Sequence, residues 1–166
     1  MPNPALIALV AGLVLATVID LRTRRIPNDL TAAMVGVGIG LAATGTSGIT
    51  VAASFAGFFL GLALMMPGYA LGATGAGDVK LMGAVGALVG PALVVSAFLF
   101  TAIAGGVLAV VVATRRQRLA ATLAQTGQLV AGPGAAPNRI RAAGGSSRFA
   151  YGPAIAAGSV IAVLLA

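Results

Sequence analysis

The candidates for proton-transfer chemistry are the chain's three acidic residues, Asp20, Asp29 and Asp78. Histidine and cysteine are both absent, which excludes the commonest general base, thiol nucleophiles and cysteine zinc sites. Two aspartates brought close together cannot easily both ionise, so they share one proton. One then acts as a general base on a water molecule, while its protonated partner polarises a peptide carbonyl. This inventory is compatible with peptide hydrolysis by a carboxylate pair, without a metal ion or an organic cofactor.

Each aspartate also has a purely structural interpretation. Asp20 closes an apolar run and would suit a membrane interface, whereas Asp29 and Asp78 would suit the capped start of a helix. Ionisable groups at membrane depth are costly and are commonly functional. The residues alone leave both interpretations open.

Membrane helices must position these residues, because the chain is 59% hydrophobic and only 8% charged, with a mean hydropathy of +1.06. A soluble domain carries about 25% charged residues. The apolar runs cover residues 4–19, 30–44, 49–71, 81–89, 92–113 and 153–166. We therefore predict an all-α polytopic bundle of about six transmembrane helices, forming a single membrane-embedded domain over residues 1–166.

The positions of the ten basic residues predict the orientation of this bundle. With six helices and the N-terminus outside, the inner connections 21–29, 72–80 and 114–152 hold all ten and the outer connections hold none. Lys and Arg concentrate on the cytoplasmic side of membrane proteins. We therefore expect an extracytoplasmic N-terminus, a basic cytoplasmic loop at 115–148 and a location in the cytoplasmic (inner) membrane. Topology accounts for the net charge of +7, and nucleic-acid binding is not expected.

Glycines four residues apart predict close contacts between the helices. Such spacings let helix backbones approach one another in lipid. They occur in three of the apolar runs, at Gly36/Gly40, Gly57/Gly61 and Gly86/Gly90.

Three motifs resemble those of the type IV prepilin peptidases, which are GxGD intramembrane aspartyl proteases, and they follow one another along the chain in the family's order. The segment 75–80, GAGDVK, resembles the GxGDxK motif. The segment 20–28, DLRTRRIPN, resembles the family's first motif, an aspartate a few residues before Ile-Pro-Asn. The segment 149–153, FAYGP, resembles the Gly-Pro motif that opens the last helix.

The resemblance implies that Asp20 and Asp78 are the catalytic pair of a peptidase that removes the leader from pilin-like precursors at the cytoplasmic membrane face. Gly75 and Gly77 would let the backbone approach the substrate, because glycine accepts conformations barred to other residues. Lys80 would lie near the carboxylates or extend to lipid headgroups. The implied partners are the prepilin substrate and membrane lipid.

The chain looks like the minimal form of this family that accompanies Flp, or tight-adherence, pilus systems. Larger members carry a four-cysteine zinc site and also N-methylate the new pilin terminus, an activity not expected here because cysteine is absent.

Two alternatives remain. One is a GxGD peptidase of another branch, such as a preflagellin peptidase. The other is a non-catalytic small transporter or assembly subunit whose aspartates bind a cation or relay protons.

Overall fold

Residues 3–115 and 151–166 are described by a computed structural model of the protein. They form five α-helices: α1 (Pro4–Thr23), α2 (Asn28–Ala43), α3 (Val51–Ala70), α4 (Ala76–Arg115) and α5 (Gly152–Leu164). These two segments contain no strand, so the all-α prediction is confirmed for them. The predicted basic loop at 115–148 lies outside the described residues apart from Arg115.

Polar side chains fix where two of the helices begin. Asn3 accepts a hydrogen bond from the Ala5 N–H (2.9 Å) at the start of α1, and Thr50 accepts one from the Ala53 N–H (3.1 Å) at the start of α3. Helix starts leave such N–H groups without an intrahelical partner. The caps explain why these two apolar runs begin their helices where they do.

The outer surface of the bundle is apolar. α1, α3 and the part of α4 over Ala76–Val111 are long and apolar enough to cross a membrane, and α2 and α5 are shorter apolar helices. Large side chains such as Leu15, Phe59 and Ile103 are more than half exposed on this surface. Soluble proteins rarely expose contiguous apolar patches of this kind. The chain is a membrane protein whose exposed side chains suit lipid.

The backbone of α4 changes direction sharply at Gly90. Gly90 has φ 82° and ψ 177°, a conformation that is essentially restricted to glycine. Pro91 follows and can open a helix, because the first residues of a helix need no N–H donor. The reversal divides α4 into a first arm, residues 76–89, and a second arm, residues 91–115. These arms correspond to the fourth and fifth apolar runs of the sequence.

One end of the bundle, here called the upper end, contains Gly90. A small cavity there is lined by Asn3 before α1, Ser47 after α2, Val89 at the end of the first arm and Val163 near the end of α5. The upper end therefore holds the start of α1, the α2–α3 turn and the reversal of α4.

The opposite, lower end is where α1 ends and α4 begins. Gly105 of the second arm packs against the Tyr151 ring, and the charge of Asp78 acts on Tyr151. In a straight helix, residues 78 and 105 would stand about 40 Å apart, so the second arm must run back to the lower end. The described basic residues also belong to this end: Arg22, Arg24, Arg25, Lys80 and Arg115, which ends the second arm.

The first arm of α4 is the centre of the bundle, since every residue from 81 to 88 is buried. α3 reaches it closely because Gly57 and Gly86 bring the two backbones into contact, and a Cβ on either residue would overlap the other's carbonyl group. The Ser54 hydroxyl donates a buried hydrogen bond to the Ala87 carbonyl (2.7 Å) across the same contact. Close backbones and interhelical hydrogen bonds are what hold helices together in lipid.

The glycine pair of α2, Gly36 and Gly40, makes no such contact with the described residues. A Cβ on Gly36 or Gly40 would meet no atom within 4 Å, so within the described residues the contact predicted for this pair is wrong. Gly38 makes the contact of α2 instead, against the Ala87 carbonyl.

Replacing Gly90 tests the reversal. Gly90→Ala forces a side chain into a conformation that costs about 1–3 kcal/mol, so we expect a destabilisation of that size in detergent unfolding. Gly36→Ala is the matched control: it lies inside a helix with open space around it, and we expect it to be neutral or to stabilise by about 0.5–1 kcal/mol. Equal stability of the two variants would contradict the backbone geometry at Gly90.

Candidate active site

Asp78 lies in the first turn of α4 and is 8% exposed. Its Oδ2 accepts a hydrogen bond from the Gly75 N–H (2.8 Å), and the Gly75 carbonyl in turn accepts one from the Asp78 N–H (3.1 Å). This is the return half of a capping box, in which the third helical residue reaches back to the residue before the helix. The helix start fixes the carboxylate, and its dipole favours negative charge there.

Asp20 lies in the last turn of α1 and is 5% exposed. Its Oδ2 accepts a hydrogen bond from the Gly152 N–H (2.9 Å), the first residue of α5. A Cβ on Gly152 would stand 2.8 Å from this same oxygen, so only glycine leaves room for the carboxylate. Asp20 thus sits at the C-terminal end of its own helix but at the N-terminal end of another.

The structure brings Asp20 and Asp78 together at the lower end of the bundle. The charge of Asp20 acts on Asp78, although 57 residues separate the two in sequence. Each carboxylate is buried, and each binds one backbone N–H of a glycine through Oδ2. Among the described residues no hydrogen bond to either Oδ1 atom is seen. Two carboxylates close together can share one proton.

Gly75 and Gly77 lie beside the pair, but neither has a positive φ. Gly75 supplies the N–H that holds Asp78. Gly77 packs against the loop between α1 and α2, where a Cβ would stand 3.1 Å from the Ile26 Cβ. In the described structure these glycines therefore provide a donor and space, and neither uses the unusual backbone conformation that the sequence analysis expected.

Lys80 contacts the start of α2. Its Nζ donates a hydrogen bond to the Asn28 Oδ1 (2.8 Å) at the start of α2. The contact ties the first turns of α2 and α4 together, next to the packing of Gly77 on Ile26. Asp29 is exposed in the first turn of α2, and no hydrogen bond or ion pair to its side chain is seen among the described residues.

Tyr151, the third residue of the FAYGP motif, also lies beside the carboxylates, a position that the sequence did not predict. Its pKa is raised, first by burial and then by the negative charge of Asp78, so the phenol keeps its proton at neutral pH. Its hydroxyl makes one long hydrogen bond, to the Thr101 carbonyl (3.5 Å). The sequence feature that could have identified Tyr151 is its position directly before Gly152 and Pro153.

The fold and the site together define a helical membrane protein with a pair of buried carboxylates at one end of its bundle. Residues 7–110 match the sequence model of the Type IV leader peptidase family. Because this match covers more than half of the 166 residues and includes both aspartates, the chain belongs to that family and is a peptidase. No curated protein and no solved structure gave a match.

Filling the space beside Asp20 tests the site geometry. In Gly152→Ala the new methyl group would displace the carboxylate, and a misplacement of 1 Å costs about 100-fold in rate. We expect leader cleavage to fall by about that factor with the protein still folded. Gly106→Ala, where a Cβ meets nothing within 4 Å, is the control. Full activity of Gly152→Ala would show that this contact does not position Asp20.

The Lys80–Asn28 contact is tested by a double-mutant cycle. Because the hydrogen bond is exposed, we expect Lys80→Met and Asn28→Ala each to lower the free energy of unfolding by about 0.5 kcal/mol. The double variant should lose little more than either single variant, which unfolding in detergent measures. Additive losses would mean that the two residues act independently.

Proposed function

We propose that the protein is an aspartyl endopeptidase that removes the leader peptide from type IV prepilins of the Flp type at the cytoplasmic face of the membrane. The observation that carries the proposal is the pairing of Asp20 and Asp78, each buried and each held through one oxygen by a backbone N–H. Family membership supplies the reaction class, and the site supplies the residues for it.

The pair would work as a unit with one proton between its two carboxyl groups. Two like charges close together in a buried site disfavour each other, so the singly protonated state is the working state. The ionised carboxylate takes a proton from a water molecule as that water attacks the peptide carbon. The protonated partner donates to the carbonyl oxygen, which gives a tetrahedral diol. The proton taken from water then passes to the leaving nitrogen, the C–N bond breaks, and the proton on the oxygen returns to the pair as the carboxyl group of the leader forms.

Orientation of the pair toward the cytoplasm follows from the basic residues. Those of the described part belong to the lower end, where the aspartates also lie. Lys and Arg favour the cytoplasmic side, so we assign the lower end to that face. With the reversal at Gly90, this gives a multi-pass protein of six spans in the cytoplasmic membrane, with its N-terminus outside.

The position of the site along its helices supports a pilin-type substrate. Both aspartates lie in end turns of apolar helices, α1 and α4. A peptide bond at this depth is one next to the end of a substrate's membrane helix, where a pilin-type leader joins its apolar segment. A transporter that uses aspartates for ions or protons would need them nearer the middle of the membrane. Their position in end turns of helices therefore favours the peptidase over a transporter.

Substitution of the aspartates tests the mechanism. Asp20→Asn and Asp78→Asn keep the side-chain shape and remove the shared proton, so we expect each to reduce cleavage of a co-expressed Flp-type prepilin by at least about 1000-fold. Asp29→Asn is the matched control and should cleave normally, since its side chain is exposed outside the pair.

Membrane insertion of all three variants is checked in the same cells. Cleavage by a correctly inserted Asp20→Asn or Asp78→Asn protein would refute the two-aspartate mechanism. A preflagellin offered beside the prepilin shows which of the two substrates the enzyme prefers.

A further inference from the structure

A groove of about 620 Å³ opens on the side of the bundle between the C-terminal half of α3, the loop that follows it, and the second arm of α4. Apolar side chains form its walls, among them Ala63, Met65, Phe98 and Ala102. Ala63 and Ala102 are exposed at the outer surface of their helices. The groove is therefore open toward the side on which the bundle meets lipid.

The lower end of this groove lies near the two segments that hold the carboxylates. Thr74 and Tyr151 line it there. Thr74 directly precedes Gly75, whose N–H holds Asp78, and Tyr151 directly precedes Gly152, whose N–H holds Asp20. Each aspartate is thus hydrogen-bonded to a glycine, and the residue directly before that glycine lines the groove.

The same two residues carry the hydroxyl groups of an otherwise apolar lining. Thr74 Oγ1 is buried and has no hydrogen-bond partner within the described part of the chain. The Tyr151 hydroxyl donates a long hydrogen bond to the Thr101 carbonyl (3.5 Å). A buried hydroxyl without a partner is costly, and this cost applies to Thr74. Both residues directly precede the glycines that hold the carboxylates.

A peptide bond can be hydrolysed only where the substrate backbone is not helical. Unwinding a membrane helix frees backbone N–H and C=O groups, which need new partners away from water. The Thr74 hydroxyl, which has no partner in the described part of the chain, and the Tyr151 hydroxyl, whose hydrogen bond is long, can meet that need. The apolar walls of the groove accept side chains that leave the lipid.

We propose that this groove binds the apolar membrane segment of the substrate next to the cleaved bond, with the hydroxyls of Thr74 and Tyr151 binding its unwound backbone. The assignment rests on the proposed leader-peptidase function and adds the surface that takes the substrate. The volume of the groove suits several apolar side chains of the substrate. The size of the substrate side chains next to the cleaved bond is therefore a determinant of specificity.

Filling the groove tests the assignment. Ala63→Trp and Ala102→Trp should each lower the rate of Flp-type prepilin cleavage by at least about tenfold. Ala56→Trp is the matched control: it is an exposed alanine two turns nearer the upper end on the same face of α3, outside the groove lining. We expect it to cleave at the wild-type rate.

Photo-crosslinking keeps the test decisive if a tryptophan variant folds poorly. In an Asp78→Asn protein, a photoreactive phenylalanine analogue at position 102 should crosslink to the prepilin's apolar segment, and the same analogue at position 56 should not. Equal crosslinking at both positions, or wild-type cleavage by folded groove variants, overturns the groove assignment and leaves the peptidase function standing. Failure of the wild-type protein to cleave prepilin sinks the proposed function itself.

Discussion

The architecture depends on the burial of residues 81–88, in the first arm of α4, on all sides of the helix. An apolar helix can be surrounded completely only if its neighbours come close, and the contact of Gly57 with Gly86 permits this for α3. Because residues 81–88 are buried, the start of the same arm is held firmly at the lower end of the bundle. Asp78 is carried by that start, so the packing of the central helix also determines where one of the two carboxylates stands.

Burying two carboxylates costs free energy, and the fold offsets that cost with backbone N–H groups at the starts of helices. Asp78 uses the start of its own helix, and Asp20 uses the start of α5, where the helix dipole favours an anion. Each interaction occupies one oxygen and leaves the other available. The three segments that meet at the proposed site, the end of α1 and the starts of α4 and α5, therefore hold both carboxylates in place.

Much of this arrangement was accessible from the sequence, because apolar runs, glycine spacing and motif order are local signals. The runs predicted the helices to within a few residues, with two informative differences: α1 continues past Asp20, and α4 begins at Ala76. Both aspartates thus belong to end turns of helices, where backbone geometry can hold them. The hydrogen bonds from Gly152 to Asp20 and from Lys80 to Asn28 join residues far apart in sequence. No local sequence pattern encodes such contacts. The groove at Thr74 and Tyr151 escaped prediction for the same reason.

The central claim is that the end of α1 and the start of α4 bring residues 20 and 78 together. It can be tested directly by introduced cysteines, because the chain has no cysteine of its own. In membranes, an Asp20→Cys/Asp78→Cys protein is treated with a short thiol-reactive crosslinker, alongside an Asp20→Cys/Ser47→Cys protein whose second cysteine lies at the upper end. The structure predicts an intramolecular bridge in the first protein and none in the second. If both cysteines of the first protein react singly with a thiol label but are never bridged, the carboxylates do not form a pair.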